Sequence, residues 1–277
     1  MTATAAAPRV LADVGRRYRS QLRVDRLVVY GGIAVVGIGL LLFWQFGVGY
    51  IVNQRYISTP LEVGVSLIER IGSGDLPRHI AATMTAAGGG FIIGIVVGLV
   101  GAFALLMTRR GYEVLEPFLL AIYSIPKIAL APLFIMWFGL ALTPKLMLAA
   151  LMVFFIVFMN TVSGVRNVDR GLVDVARVLG AGRLQLIRKV MLPAAAPSIM
   201  AAIRVTFARA MVGAILAEFI ASREGLGYMI VRAARQFDIA TVFAGVVVIA
   251  ILVMLVNTAI RLLEARLFPW ASGMAEV

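Results

Sequence analysis

Apolar residues gather into six long runs, at 27 to about 48, 80–107, 114–142, 145–165, 194–220 and 239–260. At about 1.5 Å of rise per residue, each can cross a hydrocarbon core of about 30 Å as a helix. The pattern predicts an all-α membrane protein of six transmembrane helices. The first run exceeds the roughly 7–15-residue core of a secretory signal and is read as an uncleaved span.

The runs differ in their exceptions. The second carries Gly90, Gly94, Gly98 and Gly101 at three- and four-residue spacing. In lipid, close backbone approach supplies much of the attraction between helices, so this ridge packs either within the chain or along a seam between copies. The third run is interrupted by Pro126 and Pro132. Irregular backbone at membrane depth survives only inside protein or beside water. The fifth contains Arg204 and Arg209, each costing about 2.5–3.5 kcal/mol at a helix centre, which predicts positions in the bundle interior or in water. They lie about 140° apart around a helix, so at least one is expected to make a structural bond.

Two polar connections have helical patterns of their own. At Thr59-Pro60-Leu61-Glu62 the threonine caps, the proline fits the first turn and Glu62 completes a capping box. Leu61, Val65, Ile68 and Ile71 then form one stripe up to Gly72-Ser73-Gly74, which predicts an interfacial helix. The stretch from Asp174 to Pro193 places Val175, Val178, Leu179, Leu186, Ile187 and Val190 at helical spacing, with Arg177, Arg183, Arg188 and Lys189 between them. Gly180 and Gly182 predict a break into two short helices, closed by Pro193. This is an amphipathic elbow at the membrane surface, shaped to be gripped by another protein.

Composition narrows the function. Of 277 residues, 61% are hydrophobic and 14% charged, with a mean hydropathy of +0.97, against about 25% charged in soluble domains. The net charge of +12 does not point to nucleic acid, because the basic residues flank apolar runs and fix orientation against an anionic leaflet. About 16 of them fall on the side of the first tail, the elbow and the C-terminal end, and about 7 on the other. Both termini are therefore expected in the cytoplasm, with residues 1–26 as an Arg-rich cytoplasmic tail and 27–277 as the membrane domain. There is no cysteine and one histidine, His79, which leaves no catalytic set, no metal site and no cofactor site to build. His79 is expected at the membrane edge. No Gly-x4-Gly-Lys-Ser/Thr loop occurs, so if ATP powers transport, another chain hydrolyses it. An ion-coupled secondary transporter would need paired intramembrane carboxylates, and the spans offer mainly Glu218.

Three stretches resemble the permease subunits of bacterial ATP-binding-cassette importers. Their cytoplasmic loop has the pattern Glu-Ala-Ala, three residues, Gly, nine residues, Ile, any residue, Leu-Pro. Here Asp174, Val175, Ala176, Gly180, Val190, Leu192 and Pro193 occupy those positions. The run Pro126-Lys127-Ile128-Ala129-Leu130-Ala131-Pro132-Leu133 with Trp137-Phe138-Gly139, and the segment Gly225-Leu226-Gly227-Tyr228, resemble the nitrate, sulfonate and taurine branch. The resemblance covers about residues 80–262.

The resemblance implies a type I importer permease fold with a cytoplasmic coupling helix between spans four and five. It also implies cytoplasmic ATP-binding cassette subunits docking at Asp174, Ala176, Leu179, Gly180, Leu186 and Pro193. An extracytoplasmic solute-binding protein would dock on residues 50–78 and 221–238, and a second copy of the permease would complete a homodimer in the inner membrane. The solute implied is a small anion such as a sulfonate, taurine or nitrate, with Lys127, Arg204, Arg209 and Glu218 as candidates for the translocation path. The same branch includes carriers of neutral or cationic heterocycles of the thiamine-precursor type, and that reading stays open.

Overall fold

The structure, a computed structural model, describes residues 28–47, 56–108 and 111–267. All regular structure among them is helical. The chain divides into two compact units, residues 1–65 and 66–277. The expected tail at 1–26 lies outside the described residues.

In the first unit, α1 (Val28–Gly47) is a span-length helix whose apolar side chains are exposed along its length, as contact with lipid requires. Trp44 Nε1 donates to the Ser58 carbonyl at 3.0 Å, and the Leu61 N–H donates to Gln45 Oε1 at 3.2 Å. The next helix, α2 (Pro60–Gly72), opens on the expected capping box. Thr59 N–H donates to Glu62 Oε2 at 2.9 Å and Glu62 N–H to Thr59 Oγ1 at 3.3 Å. The Ser58 hydroxyl also donates to Glu62, at 2.6 Å. That bond first, and the Thr59 amide next, hold the Glu62 carboxyl below the usual range. Leu61, Val65, Ile68 and Ile71 are all exposed, forming one outward apolar stripe along α2.

The second unit continues with α3 (Asp75–Leu106), α4 (Gly111–Ser124), a 3₁₀ turn (Lys127–Leu130), α5 (Ala131–Phe138), α6 (Leu142–Arg166), α7 (Arg170–Val178), α8 (Arg183–Leu186), α9 (Leu192–Ile220), α10 (Leu226–Arg235) and α11 (Ile239–Leu267). Helices α3, α6, α9 and α11 are long and apolar enough to cross a membrane. The pair α4 and 3₁₀–α5 is bent by 78° and together has the length and apolar composition of a broken span or a re-entrant loop. Pro126 leads the 3₁₀ turn in an extended conformation, and Pro132 sits in the first turn of α5, where a missing N–H costs nothing. The break expected at these prolines is thus where the third run turns.

Helix α6 forms the middle of the bundle. A β-carbon on Gly94 of α3 would stand 2.6 Å from the Ala150 carbonyl oxygen, and one on Gly213 of α9 would stand 2.8 Å from Ala149 Cα. The backbones of α3 and α9 therefore lie directly against α6. Ala149, Val153 and Val157 are completely enclosed there with Phe207 and Met211. The glycine ridge serves packing within the chain. Gly213→Leu should cost about 1–3 kcal/mol by overpacking, visible as a clear drop in melting temperature in detergent. Gly88→Leu, where no atom lies within 4 Å, should leave the melt unchanged. Equal melts for the two variants would refute this account of the ridge.

Two boundaries differ from expectation. Pro193 does not close the elbow; it lies in the first turn of α9, and the chain runs on from Arg183 to Ile220. Proline lacks the N–H that the Lys189 carbonyl would accept, and its ring crowds that carbonyl. The wider π winding of Ile187–Met191 takes up the mismatch, with the Leu192 N–H reaching back to the Ile187 carbonyl. The last helix runs to Leu267 rather than stopping near 260, which brings Glu264 into the bundle.

Candidate functional site

Chemistry concentrates at the two ends of the bundle. At the elbow end, Asp169 caps α7 by accepting the Gly171 N–H at 2.8 Å. The helix ends at Gly180, whose φ of +79° is the left-handed conformation glycine adopts without penalty. Gly180 N–H donates to the Arg177 carbonyl at 2.9 Å and Ala181 N–H to the Ala176 carbonyl at 3.0 Å. These two bonds form a Schellman closure and give Ala176 and Gly180 their structural roles. Gly182 is extended instead, and its N–H is held by Gln185 Oε1 at 3.1 Å. Arg183 ties the elbow to the end of α3 through the Leu106 carbonyl at 3.3 Å, where the negative helix terminus favours a cation.

The elbow leaves apolar side chains outward. Val178 is 87% and Leu179 81% exposed, the two highest values among the described large hydrophobics, and Leu172, Val175 and Leu184 are also exposed. Asp174 lies outside too, 3.2 Å from Arg177, an exposed pair of little energetic weight. Leu186, expected at the docking surface, is turned inward and buried with Ile187, so its role is to anchor the elbow. Pro193 likewise acts through the winding of the backbone.

At the opposite end, the Gly-Leu-Gly segment folds onto a buried carboxylate. Glu218 of α9 is 1% exposed. It accepts from the Thr83 hydroxyl at 2.9 and 3.0 Å and from the Gly227 N–H at 2.8 Å. The Thr83 oxygen in turn accepts the Leu226 N–H at 2.7 Å. His79 Nδ1 accepts the Gly225 N–H at 3.0 Å, which leaves the ring proton on Nε2, 3.3 Å from Asp75 Oδ1. His79 is thus a buried structural residue in the second turn of α3. Beside it, Arg70 bridges Asp75 at 2.9 Å and Asp238 at 3.2 Å, and its Nε donates to Thr241. Burial raises the Asp238 carboxyl, but the Thr241 bonds and Arg70 outweigh it and hold the group below its ordinary value.

The four charges expected along the translocation path separate into two kinds. Glu218 holds the loop just described. Arg204 makes a bidentate pair with Glu264 of α11, at 2.6–3.1 Å, the structural bond expected of one of the two arginines. Lys127 donates to the Tyr123 carbonyl at 2.7 Å and lies over the Tyr123 and Phe155 rings at 4.5 and 4.8 Å. Arg209 is exposed, and among the described residues none bonds to it. Sequence reasoning missed Thr83, Glu264 and the buried Lys145. The Gly-Leu-Gly spacing was the one signal for the first, and Glu264 fell beyond the expected end of its span. No group of three or more metal-ligating side chains occurs among the described residues.

Residues 90–271 match the family model of the binding-protein-dependent transport system inner membrane component. A Bacillus subtilis protein named for aliphatic sulfonates transport as a permease is 37% identical over 236 residues, 84% of this chain and 85% of its own length. The taurine transport system permease protein of Escherichia coli is 31% identical, over 92% of this chain and 94% of its own. The riboflavin transport system permease protein of Chloroflexus aurantiacus is 36% identical, over 87% and 91%. Among solved structures, an inward-facing methionine ABC transporter chain superposes with a TM-score of 0.59 at 22% identity, over 70% of this chain and 96% of that one, a likeness of fold.

Proposed function

Because this chain belongs to the family of inner-membrane components of binding-protein-dependent transport systems, and is thus a multi-pass permease subunit of an ABC importer, we propose that it carries small organic anions of the sulfonate class, driven by ATP that separate cytoplasmic subunits hydrolyse. Two copies form the path, both termini lie in the cytoplasm, and a solute-binding protein delivers from the other side. The substrate class rests on the names of the aliphatic sulfonates and taurine relatives. The near-equal identity to the riboflavin relative favours a heterocycle as the second reading.

The elbow is the handle. The observation that carries this reading is that Val178 and Leu179, the most exposed large hydrophobics described, flank a rigid Schellman turn in an otherwise basic segment. Closure of two ATPase subunits would draw two elbows together and turn the paths from inward- to outward-facing. Shifting such an equilibrium from 1:99 to 99:1 takes about 5.5 kcal/mol of differential binding. Arg209 then borders the path or the second copy, since lipid would penalise it by about 2.5–3.5 kcal/mol.

The test is Leu179→Asp together with Val178→Asp, with purification through the permease. Co-purifying ATPase should fall at least tenfold while the melt of the permease is unchanged, because neither side chain is buried. Wild-type association and uptake in the variant would overturn the docking role. Uptake of riboflavin but not of butanesulfonate by the wild-type complex would establish the second reading over the first.

A further inference from the structure

A cavity of about 590 Å³ opens at the Gly-Leu-Gly end, between α3, the start of α6 and the turn after α9. Its volume lies within the range of small-molecule sites. Thr85, Ala141, Leu142, Lys145, Ser222 and Arg223 line it. Lys145 decides its character. The side chain sits within the protein, the residue being 4% exposed, yet its ammonium has one protein acceptor, the Glu224 carbonyl at 3.3 Å. An ammonium carries three donors; Glu218 feels its charge without forming an ion pair with it, so the hydrogen bonding of this buried ammonium is incomplete, which is costly.

The surroundings add positive potential. Helix α6, 25 residues long, begins at this cavity without a side-chain cap, Ala141 occupying the N-cap. Leu142 and Thr143 supply free first-turn N–H groups at this end, Pro144 having none, and the positive end of the helix dipole lies at the cavity lining. Arg223 is exposed on the rim, and among the described residues none bonds to it. The one acid on the lining, Glu224, has its carboxylate 3.7 Å from Arg78. The remaining wall includes Leu140, Leu142 and Ala82, which are apolar.

We infer that this cavity is an entry site for a small amphiphilic oxyanion, its head held by Lys145, Arg223 and the start of α6, and its short alkyl tail against the apolar wall. The inference rests on the sulfonate reading of the function and extends it to a specific place. An ammonium and a guanidinium offer several charged donors to the oxygens of one oxyanion, and the alkyl wall selects an organic sulfonate over a fully hydrated inorganic anion.

The experiment uses the whole importer, permease with its ATPase subunits and binding protein, in phosphatidylcholine vesicles that offer no anionic headgroup. Uptake of radiolabelled butanesulfonate is measured against concentration. Lys145→Met should raise the half-saturating concentration at least tenfold and Arg223→Gln about threefold to tenfold, while Lys145→Arg recovers most of the loss. Arg261→Gln, on an exposed position of α11 away from this cavity, should leave half-saturation unchanged. The exposed Arg223 keeps the test decisive should Lys145→Met fail to assemble. Wild-type half-saturation in Arg223→Gln, or in an assembled Lys145→Met, overturns the entry site while leaving the sulfonate reading intact. Absence of butanesulfonate uptake by the wild-type complex instead removes the sulfonate reading itself.

Discussion

Gly225→Ala is expected to prevent recovery of a stable, monodisperse protein. Gly225 has φ +111° and ψ 161°, a region that is essentially glycine's alone and costs about 1–3 kcal/mol for other residues. Its added β-carbon would also collide with the Glu218 carboxyl group. Moving that carboxylate strands the Gly227 N–H and the Thr83 hydroxyl, at about 1–3 kcal/mol each. The sum, on the order of 3–9 kcal/mol, compares with a whole stability of about 5–15 kcal/mol. Thermal melts and gel-filtration yield in detergent read it directly, with Gly72→Ala as the control, since nothing lies within 4 Å of that position. A Gly225→Ala melt within about 2 °C of wild type, roughly the shift from 1 kcal/mol, would show that the loop tolerates another conformation.

Glu218→Ala should be nearly as damaging, by about 3–5 kcal/mol, because it leaves a cavity as well as unpaired donors. Glu218→Gln should cost roughly half as much, about 1–3 kcal/mol, since one amide oxygen still accepts the Gly227 N–H. Thr83→Val combined with Glu218→Ala should cost less than the sum of the single changes, as expected for partners in one network. Melting temperatures of the four variants give the answer. If Glu218 were a substrate group instead, Glu218→Ala would alter uptake with the melt unmoved, and the stapling role would fail.

Much of the architecture was legible from the order of residue types. Six apolar runs became α1, α3, the bent α4–α5 pair, α6, α9 and α11 because transfer into lipid depends on local length and composition. The capping box at Thr59 and Glu62 was likewise readable, since its bonds join residues three apart. Gly180 proclaimed its turn for the same reason. The elbow's second arm was misjudged, because Pro193 reads locally as a terminator while the π winding before it lets the helix pass.

Charges were the harder case. Arg204, Lys127 and Glu218 looked alike as polar intrusions in apolar runs. Their roles depend on partners such as Glu264, 60 positions from Arg204, and Thr83, 135 positions from Glu218. No spacing rule spans those separations.

The sequence by itself determined that this is a six-run helical membrane protein with an amphipathic elbow and no nucleotide loop of its own, since hydrophobic length, turn chemistry and motif content are properties of neighbouring residues. Only the tertiary structure decided which intramembrane charges are spent on holding helices together and which, Arg209 and Lys145 among them, retain donors for something else. Hydrogen-bond satisfaction is settled by what packing brings within 3 Å or so, and that is a property of the folded bundle.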